Sequence, residues 1–288
     1  MKSFLRAAVC LVVVLLAITA SSSAPTRLFS PFVESWNNLA YYNTTAGGTT
    51  NTILLGRFEG KVGLNLFNAP LQIYGVYYGV SSEDKNYWNN AVYSGVGVRF
   101  KPFEKYYSRD WQDEWLRDVK IFAETLSSSF FKDIASGEAN RRTDFRYGFD
   151  VWHEWNLDQP LDSLPWGELY ANLSSRSTNF SWTDFNGYLF NFQPKVGMHL
   201  ASRFEPYLRL DLTASDKSDY WLNLAYYGAG FRFEPWRRME QTNEFLKKFK
   251  MFVEVLNVAY LKNQPPDAIK VSSEVRFGVD FSYGRIQP

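Results

Sequence analysis

The sequence predicts an all-β protein, a transmembrane antiparallel β-barrel of about 12 strands, from three observations. First, apolar and polar residues alternate strictly, as in "GVGVRF" at 95–100 and "SEVRFGVDF" at 273–281. Second, the alternating runs reach the nine to eleven residues, roughly, that a tilted strand needs to cross a bilayer. Third, one long unit is written twice: "YWNNAVYSGVGVRFKPF" at 87–103 returns as "YWLNLAYYGAGFRFEPW" at 220–236.

The repetition extends over most of the chain. Lys61-Val62-Gly63-Leu64 returns as Lys195-Val196-Gly197-Met198, and Asp144, Arg146, Gly148 and Asp150 return as Glu274, Arg276, Gly278 and Asp280. The offset stays between 130 and 134 residues. This spacing far exceeds that of a solenoid repeat. It implies two copies of a six-strand unit, about 27–156 and 165–288, joined in a single barrel domain over 25–288. A six-strand sheet leaves open edges in lipid, whereas twelve strands close on themselves.

At the N-terminus, Lys2 and Arg6 precede an apolar run from Ala7 to Ile18, then small and polar residues to Ala24. That is the pattern of a secretory signal peptide, here 1–24. Cys10, the single cysteine, lies inside it, so the mature chain is expected to have no thiol chemistry. A net charge of +1 without a basic stripe argues against nucleic acid as a partner. Aromatic residues make up 18% of the chain, an excess that suits the interfacial girdles of a membrane barrel.

Strands are expected near 32–43, 53–67, 71–82, 88–101, 118–130 and 142–155, and again near 166–181, 187–201, 205–215, 221–234, 247–261 and 272–284. Each has two faces. In the 53–67 strand Phe58, Val62, Leu64 and Leu66 oppose Arg57, Glu59, Lys61, Gly63 and Asn65; in the last, Val275, Phe277, Val279 and Phe281 oppose Glu274, Arg276, Gly278 and Asp280. A soluble sandwich also alternates, but its outer face has no need of repeated glycines. A polar face mixing glycine with charges of both signs suits a confined lumen, where small residues leave room and charges pair or stay hydrated. The apolar face then meets outer-membrane lipid.

The lumen-lining candidates are Arg57, Lys61, Arg99, Lys120, Glu124, Arg146 and Asp150 in the first unit. In the second they are Lys195, Arg209, Asp211, Arg232, Lys250, Glu254, Arg276 and Asp280, with His199 on the same parity. They are expected to line a solute path or to form wall ion pairs. The links at 102–117 and 235–246, with the helical stretches "SRDWQDEWLRD" and "RMEQTNEFLKKF", lie on the side of the termini. They are expected to cap the barrel rim; the alternatives are a docking surface for a periplasmic scaffold or polysaccharide-synthesis machinery, or a partial plug. The links at 44–52, 83–86 and 132–141 face outward and are short, and "TTAGGTTN" reads as flexible. No phosphate loop, metal-spaced histidine cluster or Gly-x-Ser-x-Gly is present, so no cofactor, metal or catalytic residue is expected.

The units "GVGVRFKPF…VKIFAETL…DFRYGFDVW" and "GAGFRFEPW…FKMFVEVL…EVRFGVDFS" resemble the outer-membrane barrel domains of bacterial exopolysaccharide export, and the C-terminal barrel of the phage N4 adsorption protein A family. Arg99 to Phe103, Glu124 and Arg146 to Gly148 carry the likeness, with their second-unit counterparts. The resemblance implies a passive, non-enzymatic conduit in the bacterial outer membrane for export of a polysaccharide or other hydrophilic solute. It also implies a separate periplasmic scaffold, since relatives often carry tetratricopeptide repeats that this chain lacks. Two other readings stand beside it: a non-conducting barrel that anchors an envelope assembly, and an outer-membrane hydrolase using His153 or His199.

Overall fold

The computed structural model describes residues 29–66, 70–84, 89–104, 111–130, 141–157, 164–180, 183–200, 203–237 and 244–283. The expected signal peptide at 1–24 lies outside them. So does most of the expected link at 132–141.

Twelve strands close into one antiparallel barrel in which each pairs with its chain neighbours and the last returns to the first. They are β1 (Phe29–Ala46), β2 (Thr49–Leu66), β3 (Leu71–Ser82), β4 (Ala91–Phe100), β5 (Val119–Phe130), β6 (Arg141–Trp155), β7 (Pro165–Phe180), β8 (Thr183–Met198), β9 (Phe204–Ser215), β10 (Leu224–Phe233), β11 (Lys250–Tyr260) and β12 (Val271–Tyr283). Closure through the β1–β12 ladder, Ser35 opposite Tyr283 through Thr45 opposite Ser273, leaves no exposed sheet edge.

The period-2 pattern divides the wall as read from the sequence. Val96, Val98, Ile121, Phe149, Leu208, Val255 and Phe277 are exposed, Leu208 by 67% and Val96 by 62%. The opposite face buries Lys61, Arg99, Glu124, Arg232, Glu254 and Arg276. This inverts the polarity of a water-soluble fold, in which the apolar face goes inside.

Several boundaries differ from the sequence reading. The expected 44–52 loop is a hairpin: β1 runs to Ala46, β2 starts at Thr49, and Gly47 and Gly48 make the turn with φ of 55° and 80°. Positive φ at both central residues matches the strand twist, and the β-branched threonines on either side extend the ladder. β10 and β11 begin later than expected, at Leu224 and Lys250. Ahead of β10 a 3-10 turn over Tyr220–Leu222 precedes Asn223, whose side chain bonds the Lys217 and Asp219 carbonyls and the Ser215 amide. Asn90 anchors the β3–β4 link likewise, through the Asp84 carbonyl and the Ser82 amide. Of the two helical links, one contains a 3-10 helix at Trp111–Asp118 and the other a single α-turn at Glu244–Lys247.

The inward glycines do not simply leave room. A Cβ on Gly97 would lie 2.6 Å from the Tyr74 ring, and one on Gly230 would strike Tyr207 equally. At Gly63, Gly95, Gly148, Gly228 and Gly278 it would meet the backbone of the neighbouring strand. Glycine there lets the wall curl sharply inward and seats tyrosine rings flat against it.

Candidate functional site

The interior is built from rows of charges that the register brings to common levels. β5 and β6 set Lys120 opposite Asp150 and Glu124 opposite Arg146, and β11 sets Lys250 opposite Asp280 on β12. Many ion pairs skip strands. Arg99 on β4 binds Glu34 on β1 through two hydrogen bonds, 2.9 and 2.7 Å, and its Nε donates to Gln72. Arg232 on β10 reaches Glu168 on β7 at 2.8 Å, and Lys250 on β11 reaches the same carboxylate at 3.2 Å. Arg276 on β12 donates to Asp211 on β9 at 3.0 Å. Side chains on the outside of a convex wall diverge, so these chords run through the interior.

The two halves repeat one motif. In the first, the Tyr74 hydroxyl crosses over Gly97 and donates to Glu124 Oε1 at 2.9 Å, with Lys61 at 3.9 Å. In the second, the Tyr207 hydroxyl crosses over Gly230 and donates to Glu254 Oε1 at 2.7 Å, while Arg209 donates to the same oxygen at 2.6 Å. Arg99 lies 5.4 Å from the Tyr74 ring, and Arg232 lies 5.4 Å from the Tyr207 ring and 4.6 Å from Trp166. A guanidinium stacked on aromatic faces keeps its edge free for carboxylates.

The remaining candidates also fall on this face. Lys195 lies 3.3 Å from Glu168, Arg209 pairs with Asp211 at 2.7 Å, and Arg146 with Asp144 at 2.5 Å. Arg57 is more open and lies over the Tyr42 ring. Asp150 Oδ1 is buried without a hydrogen-bond partner among the described residues. Burial beyond 97% for Arg99, Arg232 and Glu254 shows that pairing, more than hydration, satisfies the charges at these levels. Residues not singled out from sequence complete the networks: Glu34, Glu168, Glu205, Glu234, Arg237, Trp166, and the tyrosines Tyr74 and Tyr207. Of these, Glu34 and Glu168 stand 134 residues apart, within the offsets of the expected repeat.

A second cluster lies at the end at which the termini lie. His199 Nε2 donates to the Asn156 carbonyl at 2.9 Å, and its Nδ1 lies 2.7 Å from Glu205 Oε1. Arg237, from the β10–β11 link, binds both Glu205 and the Leu157 carbonyl. His153 sits on the rim with Asp118 at 2.8 Å. Among the described residues, neither histidine hydrogen-bonds a serine, and no group of three or more His, Cys, Asp or Glu side chains could hold a metal ion.

Glu234 lies beyond the end of β10. Burial holds its carboxyl above the usual range; Lys250 opposes the shift and Glu205 adds to it. The folded chain therefore holds this proton more tightly than the unfolded chain. The stability it contributes is complete below the ordinary carboxylate pKa and is lost as pH rises through the folded value. Glu234→Gln is expected to raise the temperature of heat-induced gel-mobility conversion at about pH 8 and to leave it unchanged at about pH 4. Equal shifts at both pH values would contradict this.

No family model and no curated protein matches the chain. Solved structures do. The chain is similar to outer-membrane β-barrels. The translocator domain of the autotransporter NalP from Neisseria meningitidis aligns over 97% of each chain at 9% identity, with a TM-score of 0.34. An outer membrane channel from Pseudomonas putida F1 aligns over 91% of this chain and 100% of its own, at 9% identity and a TM-score of 0.36. OmpF from Salmonella typhi aligns over 89% and 98%, at 10% identity and 0.34. At these scores no function carries over.

Proposed function

We propose that the protein is a bacterial outer-membrane β-barrel forming a polar, charge-lined conduit for a hydrophilic solute, best fitted to a polysaccharide on its way out of the cell. The observation that carries this is the inverted wall: a continuous apolar belt outside and paired charges inside. A belt of that extent exposed to water would drive association, whereas lipid satisfies it. The closed ladder leaves no unpaired strand edge to face hydrocarbon. Twelve strands give a bore between a packed eight-strand barrel and a porin, and the acids, bases and tyrosines along it suit hydroxyl-rich chains. Removal of residues 1–24 on export and duplication of a six-strand unit belong to the same reading. The matching Tyr74–Glu124 and Tyr207–Glu254 contacts support the duplication.

Two measurements test it. Leu208→Arg places a charge in the middle of the lipid-facing belt and is expected to cost about 2–4 kcal/mol in a liposome unfolding titration. A loss below about 0.5 kcal/mol, typical of an exposed site in water, would count against insertion. Planar-bilayer recording of the purified barrel should show a steady ion current.

One observation favours a second reading, a non-conducting anchor for a periplasmic assembly. The Lys250–Glu168 bridge reaches from β11 to β7 and narrows the interior at the end of the termini. In that case the bilayer stays silent, and the links at 102–117 and 235–246 bind a scaffold partner.

A further inference from the structure

Across the β6–β7 seam, Arg146 and Arg176 stand directly opposite each other. Like charges so placed oppose strand pairing, and they call for a compensating anion. The protein supplies little. Arg146 donates from Nε to Asp144 Oδ2 at 2.6 Å, with its guanidinium over the Tyr78 and Tyr93 rings at 5.3 and 5.7 Å. Arg176 donates from Nε to Ser174 Oγ at 3.2 Å and forms no ion pair with any carboxylate among the described residues. Two polar atoms on the same seam, Asp144 Oδ1 and Thr178 Oγ1, are buried without a hydrogen bond among those residues, and Asp144 and Thr178 are register partners.

The β12–β1 seam is an internal control. The repeat offsets place Arg276 at the position of Arg146, Glu274 at Asp144, Thr44 at Thr178 and Tyr42 at Arg176. There Thr44 donates to Glu274 Oε2 at 2.9 Å. Arg276 bonds Glu274 and Asp211 and lies 5.3 Å from the Tyr42 ring. The protein satisfies these groups by itself. At β6–β7 the same frame carries an extra cation, Arg176 for a tyrosine, and lacks a carboxylate, with Tyr78 at the position of Asp211.

The geometry points to a solute-binding site at the β6–β7 seam for a sugar that bears a carboxylate or phosphate. Arg146 and Arg176 hold the anionic group, because a planar guanidinium matches either anion edge-on. Asp144 Oδ1 accepts a sugar hydroxyl, and Thr178 Oγ1 exchanges a hydrogen bond with a second. The site deepens the conduit reading and rests on it for access.

The test uses the full-length barrel, with trigalacturonate, glucose 6-phosphate, maltotriose and inorganic phosphate as probes. In planar bilayers the charged sugars should interrupt the current at concentrations on the order of tenfold below maltotriose, the worth of one charge-assisted hydrogen bond. Arg176→Tyr, which installs the first unit's residue (Tyr42), should abolish that preference while keeping heat-modifiable mobility. Trigalacturonate acting alone identifies a uronate, and glucose 6-phosphate acting alone a phosphosugar; inorganic phosphate acting as strongly as either overturns sugar recognition. A current blocked equally by maltotriose, or a preference that survives Arg176→Tyr, overturns the site and leaves the conduit standing. Should the barrel pass no current, calorimetry in detergent decides: charged-sugar binding lost in Arg176→Tyr upholds the site and removes the conduit, and no binding removes both.

Discussion

Glu168→Ala is expected to be the most damaging exchange of an interior carboxylate. Its two oxygens receive Arg232 at 2.8 Å, Lys250 at 3.2 Å and Lys195 at 3.3 Å, from three different strands. Removing the carboxylate leaves three cations facing one another in a desolvated space, with Glu205 and Glu234 as the nearby acids. Breaking a buried pair from one side costs about 3–5 kcal/mol, most of it the penalty on the charges left behind. Glu34 pairs with the single arginine Arg99 among the ion pairs of the described residues, its side chain is 30% exposed, and Gln72 stays bonded to that arginine. Glu34→Ala should therefore cost about 1–2 kcal/mol. Urea titration of both variants in liposomes, followed by tryptophan fluorescence, gives the comparison. Equal losses would mean that the charge clusters of the two halves are energetically alike, contrary to the contacts seen.

Gly95→Ala is the second large effect. The added methyl would fall well inside 3.0 Å of the Thr125 carbonyl oxygen, on the strand paired with β4. Backbone cannot swing aside as a side chain can, so β4 and β5 must part at the point where Gly95 opposes Leu126. A cost of about 3 kcal/mol, the upper end for overpacking, is expected. Gly75 provides the control, since its nearest contact would be an ordinary 3.8 Å to the Val62 carbonyl, and Gly75→Ala should be tolerated. Gly97→Ala should fall between the two, because the Tyr74 ring can rotate away at the expense of its bond to Glu124. Folding yields into liposomes, read as the fraction that shows heat-modifiable mobility, should rank Gly75→Ala, Gly97→Ala and Gly95→Ala in that order.

These predictions separate what was legible in the residues from what was not. Alternation gives away both faces of strands such as β2, β9 and β12, because side-chain direction in extended backbone is a local property with a period of two. Hence Arg276 and Val275 could be assigned to opposite sides of β12, and the strand count followed from turns and repeats. At Gly47–Gly48 composition marks a turn but not its two-residue length. Composition reads the inward glycines as space, whereas their use is strand curl and ring seating, which depends on the neighbouring strand.

Taken alone, the amino-acid order determined that this chain forms long two-faced strands, apolar on one side and charged on the other, enough of them to close. Partner choice was left to the tertiary structure. Arg99 meets Glu34, and Lys250 meets Glu168, across three and four strand positions. Closure and stagger bring those positions together, and no local periodicity encodes either. The difference between the satisfied β12–β1 seam and the electropositive β6–β7 seam arises in the same way, from which residues the closed wall sets face to face.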